Sequence, residues 1–139
     1  MREEYIKILE QQIGKPYIWR KQSPLVGFDC SGLVIYGLWS VGELPRVDKS
    51  AQMLFDHYIT QGNQVYGPNP PKRGDLCFFG ASKIAVSHVT TYLGNGLMIE
   101  AGGGDSTCIN LAKAIEMDAY VRIRPITWRK DFLTAASIF

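Results

Sequence analysis

Phe28-Asp29-Cys30-Ser31-Gly32-Leu33-Val34 opens the most apolar run of the chain, and Ile35, Tyr36, Leu38, Trp39 and Val41 continue it without a charge. Such a run, closed by Gly42, reads as a helix buried on most of its sides. Asp29 and Ser31 are helix-capping types, and Phe28 is placed to staple the entry. Cys30 therefore stands among free backbone N–H groups at the positive end of the helix macrodipole. Thiols in that setting lose their proton readily and act as nucleophiles near neutral pH. This makes Cys30 the leading catalytic candidate, on the helix around which the rest must pack.

Upstream, Tyr5, Ile6, Leu9 and Ile13 form a helical stripe over Arg2 to Ile13, which Gly14 and Pro16 terminate. Tyr17-Ile18-Trp19 is short and apolar, and a loop runs from Arg20 to Gly27. Leu44-Pro45-Arg46 is extended, because a residue before proline avoids the helical region. Ser50 starts a short helix bearing Met53, Leu54 and Tyr58, ended by Gly62, and Gly67 to Pro71 is a proline-rich connector.

From Gly74 the period changes from helix to strand. Leu76-Cys77-Phe78-Phe79 reads as a buried strand, Ser87 to Leu93 as an alternating one, and Leu97 to Ala101 as its return across Gly94-Asn95-Gly96. A last strand is expected near Tyr120 to Ile123, stopping at Pro125. Helices first and an antiparallel sheet after them define an α+β fold.

At 139 residues, with 46% hydrophobic and 20% charged residues, the chain reads as one globular domain over 1–139. A net charge of +2 leaves no nucleic-acid footprint. Arg122, Arg124, Arg129 and Lys130, diluted by Glu116, Asp118 and Asp131, read as a solvated face. Cys77 reads as a small buried hydrophobe, while Cys108 gains no role. Cysteines without C-x-x-C spacing give no metal site, nothing calls for a cofactor, and the chain suits a reducing compartment. Met1 to Tyr5 lacks the basic and apolar pattern of a signal peptide, and Leu33 to Val41 is too short to insert into a membrane.

A cysteine hydrolase needs a base that shares the thiol proton and a third group that orients that base. His57 and His88 are the two histidines. His57 lies in the short helix between Asp56 and Tyr58, away from any cysteine in sequence. His88 projects from a strand flanked by Ser87 and Thr90, with room for a partner, and is the better base.

Several segments together resemble the NlpC family of bacterial cell-wall cysteine peptidases, which have a papain-like α+β fold. They are Gly14-Lys15-Pro16-Tyr17-Ile18-Trp19, Phe28 to Val34, Leu44-Pro45-Arg46, Arg73-Gly74-Asp75-Leu76, and Ser87-His88-Val89 with Tyr92-Leu93-Gly94. The resemblance implies hydrolysis of peptidoglycan stem peptides at or near the bond from D-γ-glutamate to the following diamino acid. It assigns Cys30 as nucleophile, His88 as general base and acid, and Tyr17, Asp29 and Ser31 as substrate-binding. The residues alone also allow Tyr17 simply to pack and Asp29 and Ser31 simply to cap. Two departures stand out: Arg20-Lys21 replaces a pair of glycines, and the third catalytic position falls on Glu100. The expected setting is a phage-associated lysin acting at the cell wall, delivered by a phage tail or similar complex. Rival readings are a non-catalytic tail or scaffold component, and an acyl or γ-glutamyl transferase using the same dyad.

Hairpin register decides whether Glu100 can reach His88. A two-residue Asn95-Gly96 turn sets Gly94 opposite Leu97 and Glu100 opposite Thr91, on the wrong face. A three-residue loop Gly94-Asn95-Gly96, with a G1-type bulge at Gly96, pairs Thr90 with Glu100 and His88 with Gly102. The second arrangement is the one expected here.

Overall fold

A computed structural model describes residues 1–65 and 70–139; of the connector expected over Gly67 to Pro71, residues 67–69 fall outside them. The chain begins with helix α1 (Arg2–Glu10), which buries Tyr5, Ile6 and Leu9. It ends three residues short of the expected Ile13. Gly14, at a φ of 90°, turns the chain so that its N–H reaches the Val121 carbonyl at 2.9 Å. That bond to a distant strand outweighs one more helical turn. A small ribbon of β1 (Gln22–Ser23) and β2 (Gly27–Phe28) then lies within the expected loop.

Helix α2 (Cys30–Ser40) is buried from Cys30 to Ile35 and again at Gly37 and Leu38, as its lack of charge requires. Gly37 lets α1 approach closely: a Cβ there would sit 2.6 Å from the Tyr5 ring. Helix α3 (Ala51–Thr60) is capped by Ser50, whose hydroxyl accepts from the Met53 N–H at 3.1 Å, and buries Leu54, Phe55 and Tyr58.

The remaining strands are β3 (Gln64–Val65), β4 (Leu76–Ser82), β5 (Ala85–Gly94), β6 (Leu97–Gly102), β7 (Tyr120–Pro125) and β8 (Phe132–Ala136). They form one antiparallel sheet in the order β3-β8-β4-β5-β6-β7. Helix α4 (Leu111–Met117) intervenes before β7, and a 3-10 turn (Ile126–Trp128) follows it. The last strand is thus β8, not the one at Tyr120. It inserts beside β4 and so links the C-terminus to the middle of the sheet. One sheet face, with Phe78, Val89, Ile99 and Val121, packs on the helices. The other buries Cys77, Phe79, Met98 and Ala135, closed over by Ile126.

Cys77 belongs to that second layer, and burial pushes its thiol up to about 12. Cys77→Ala is expected to cost on the order of 1 kcal/mol of stability through a small cavity. Denaturant unfolding of wild type and Cys77→Ala checks this; superimposable unfolding curves would contradict it.

The β5–β6 hairpin does not turn through the three-residue loop Gly94-Asn95-Gly96 expected from the sequence. Asn95 and Gly96, at φ 53° and 78°, make the two-residue turn, with Gly94 opposite Leu97. Between Gly94 and Tyr92 the ladder shifts, leaving Leu93 unpaired, so Tyr92 faces Met98 and Thr91 faces Ile99. The expected bulge at Gly96 is therefore corrected to a bulge at Leu93. Gly94, at φ 99°, accommodates it, and the Tyr92 hydroxyl accepts from the Gly96 N–H at 2.8 Å. With Thr91 opposite Ile99, Glu100 falls on the face of His88, and its carboxylate reaches the His88 ring.

Candidate active site

Cys30 is the first residue of α2 and is 9% exposed, at the floor of a cleft of about 610 Å³. Asp29 anchors this helix start with both carboxylate oxygens. Oδ1 accepts from the Gly32 N–H at 2.7 Å and the Ser31 hydroxyl at 3.4 Å, and Oδ2 from the Arg20 N–H at 2.8 Å. Burial raises the Asp29 pKa, while the two backbone donors work against that rise. Gly32 is required by closeness: a Cβ there would strike the Lys21 carbonyl and lie 2.7 Å from Asp29 Oδ1. The Arg20 that replaces a glycine has a φ of 62°, a left-handed conformation that glycine adopts without strain. Its side chain turns to Asp48, at 3.6 Å, along the cleft wall.

His88 is 6% exposed, directly across the ladder from Phe79. Its Nε2 lies 2.9 Å from Glu100 Oε2, and Glu100 is 2% exposed. With Nε2 occupied, Nδ1 is the ring nitrogen left for the thiol. Burial opposes a charge on His88, but the Cys30 sulfur and the Glu100 carboxylate outweigh it and raise its pKa to about 9. Glu100 responds in the opposite sense. Burial alone would raise its pKa, yet His88 and, more weakly, Arg124 and Arg122 bring it below the usual carboxylate value. The structure thus brings Cys30, His88 and Glu100 together, and both partners favour the charged form of the imidazole.

Tyr17 lines both this cleft and a second pocket of about 300 Å³ behind His88, which places it beside the Cys30 thiol. Its hydroxyl pKa is driven up by burial and by neighbouring Cys30, so it remains a proton donor. Ser31 and Asp29 also line the cleft, although their polar atoms are largely spent on the helix start. His57 is elsewhere, on α3 beside Gln61 and edge-on to Tyr58.

Three further groups were not legible as site residues. Gly102 leaves room for the Glu100 carboxylate; a Cβ there would collide with Oε2 and lie 2.8 Å from Cδ. Gly104 does the same for the Tyr17 ring. The arginines assigned to a solvated face are not one: Arg122 is buried, with its Nη2 donating to the Gly102 carbonyl at 3.2 Å. Arg124 and Arg129 line the second pocket. Alternation along β7 was the available signal, because Tyr120, Arg122 and Arg124 fall on the face of Glu100. Among the described residues no group of side chains is arranged to hold a metal ion.

This arrangement of helices on an antiparallel sheet defines a papain-like α+β domain. The chain belongs to the NlpC/P60 family, whose sequence profile matches residues 14–125. Over 134 residues it is 40% identical to the probable endopeptidase YafL of Escherichia coli, covering 94% of this chain and 52% of that protein. It is 42% identical over 114 residues to the peptidoglycan endopeptidase RipB of Mycobacterium tuberculosis, covering 73% of this chain and 43% of RipB. The RipB structure superposes with a TM-score of 0.73 over 99% of this chain and 64% of that one, at 31% identity. The chain thus spans about half the length of these two curated relatives. RipD, described as a non-catalytic NlpC/p60 domain adapted to peptidoglycan binding, shares the fold at 22% identity and a TM-score of 0.71. Fold alone therefore leaves catalysis to be argued from the site.

Proposed function

We propose that this chain is a cysteine endopeptidase that cleaves peptidoglycan stem peptides at or near the D-γ-glutamyl–diamino acid bond, with residues 1–139 acting as one domain. The observation that carries the reading is the buried Cys30–His88–Glu100 set, with a cleft leading to the thiol. Family membership and the endopeptidase names of YafL and RipB support it.

In this reading the Cys30 thiolate attacks the scissile carbonyl carbon. The resulting oxyanion meets backbone N–H groups at the start of α2, which have no intrahelical acceptor. Imidazolium His88 gives its proton to the departing amine as the C–N bond breaks, leaving a thioester on Cys30. Neutral His88 then takes a proton from water, whose oxygen attacks the thioester and frees the acid and the thiolate. Glu100 orients the ring and stabilises its charged form throughout. The pocket containing His88 receives the leaving fragment, because the ring must reach the departing nitrogen. The larger cleft receives the acyl side, where Tyr17, Asp29 and Ser31 would hold the substrate.

Mass spectrometry of purified muropeptides incubated with wild type and Cys30→Ala tests this function. Paired products that appear with wild type alone support it; intact muropeptides, or amine adducts formed instead of acid when amines are added, overturn it in favour of binding or transfer. For delivery we read a phage-associated lysin, to be tested by looking for this chain in purified virions. Among the described residues no helix is long and apolar enough to cross a membrane.

The hold of Glu100 on His88 sets the effect of three substitutions. Glu100→Gln should keep more turnover than Glu100→Ala, since an amide can still orient the ring. Gly102→Ala, which displaces the carboxylate, should lower kcat by on the order of a hundredfold and, by parting a buried pair, lower the melting temperature as well. Steady-state kinetics on the three variants read this; Gly102→Ala at wild-type kcat would remove Glu100 from the site.

The charge on His88 also ties stability to pH. Its folded pKa, about 9, lies above the ordinary 6.5, so its contribution is fully present below about pH 6.5 and is lost as pH rises through about 9. Wild type should therefore lose more Tm than His88→Ala between about pH 7 and about pH 10. Parallel losses would show that the imidazole is not held charged.

A further inference from the structure

The pocket behind His88 holds three arginines nearby, and two of them are already committed. Arg122 donates to the Gly102 carbonyl, lies 3.7 Å from Asp118, and stacks on Tyr120 at 4.3 Å. Arg129 forms a two-pronged pair with Asp131, at 2.6 and 2.9 Å. Arg124 is different. It lines the pocket on the same sheet face as Glu100 and, among the described residues, its guanidinium has no carboxylate or carbonyl partner. What it has is Trp128, whose ring lies 4.4 Å below the guanidinium carbon and is itself 61% exposed.

A planar cation stacked on an indole keeps its edge N–H donors free, and those donors match a carboxylate in a two-pronged fit. The charge around it favours an anion as well. Glu100, the carboxylate lining the same pocket, is already neutralised by His88. Burial and the neighbouring Arg122 act against the charge on Arg124, and Glu100 offsets them only in part, so an arriving anion would add the support that is missing.

We propose that the pocket behind His88 is a carboxylate-recognising subsite for the leaving fragment, with Arg124 as the anion ligand and Trp128 as the platform that holds it. This rests on the peptidase reading above, which places the leaving fragment in that pocket. The carboxylate has two possible sources on a stem peptide: the side chain of the diamino acid after the scissile bond, when it is a diamino dicarboxylic acid, or the C-terminus of a short stem. Arg124 lies on the pocket rim alongside Trp128, so the recognised group is one that reaches out from the bond being cut. In either case the subsite makes turnover depend on a negative charge that the chemistry itself does not need.

The test uses synthetic L-Ala-γ-D-Glu-X peptides with the full chain. X is meso-diaminopimelic acid with both carboxylates free, with only the side-chain carboxylate amidated, or with only the C-terminal carboxylate amidated. Wild type should cleave the fully free peptide with kcat/KM higher by about tenfold or more than one of the amidated forms, the size expected for a charge-assisted pair. Which amide causes the loss identifies the source. In Arg124→Gln, the fully free peptide should fall to the level of that amidated form, and the amidation should cost nothing further. Equal wild-type turnover of all three peptides overturns the subsite while leaving the peptidase reading intact. An amidation penalty that persists in Arg124→Gln overturns the assignment to Arg124. Absence of cleavage of every peptide by wild type removes the peptidase reading, and the subsite with it. The amidation series on wild type stands even where the Arg124 variant folds poorly.

Discussion

Cys30→Ser should lower muropeptide hydrolysis by several orders of magnitude while leaving the unfolding transition where it is. The two side chains differ by one atom, and Asp29 keeps its bonds to the Gly32 and Arg20 N–H groups, so the helix start survives. What disappears is an accessible anion, because a serine hydroxyl stays protonated in this setting. His88 should register the change too, since the Cys30 sulfur helps to raise its pKa. Its NMR titration in Cys30→Ser should move to lower pH, with the Glu100 contribution remaining. A variant that hydrolyses at the wild-type rate would place the nucleophile elsewhere. The other cysteines offer no substitute, as Cys77 and Cys108 are both fully buried and both have raised thiol pKa values.

His88→Ala should be nearly as damaging to turnover, for two reasons that act at different steps. The acyl-transfer step loses the acid that protonates the leaving amine, and thioester hydrolysis loses the base that activates water. Because the two side chains act as a unit, the double variant should be scarcely worse than either single one. His57→Ala is the control, because His57 lies on α3 away from the thiol and should leave turnover unchanged. Removal of His88 also leaves Glu100 as a buried carboxylate without its partner, so some loss of stability near neutral pH is expected. A His88→Ala protein that still turns over substrate normally would break the assignment.

The parts of this molecule that sequence made legible are those with strong local signals. An uncharged apolar run behind Asp29 can hardly be anything but the buried helix α2, whereas the loop expected over Gly94-Asn95-Gly96 turned out to be the shorter Asn95-Gly96 turn. The face that Glu100 occupies was legible for a subtler reason, since strand parity fixes it. The route to that parity was not, because a bulge at Leu93 and a bulge at Gly96 give the same register and differ only in local backbone. The C-terminal third was read poorly. Strand β8 carries small residues such as Ala135 and Ala136, whose burial comes from neighbours contributed by β3 and β4 rather than from their own pattern. The arginines of β7 look like a solvated charge cluster until the sheet places them beside Glu100. Gly102 and Gly104 read as parts of a strand end, whereas their role is space, kept open for a carboxylate and a ring.

In the proposed mechanism Cys30 and His88 work as one catalytic pair. Its most direct test is the rate of Cys30 alkylation by iodoacetamide as a function of pH, in wild type and in His88→Ala, with the modified residue identified by mass spectrometry. The pair predicts fast, Cys30-selective alkylation in wild type at mildly acidic pH, and a marked slowing there in His88→Ala. Superimposable profiles for the two proteins would contradict it.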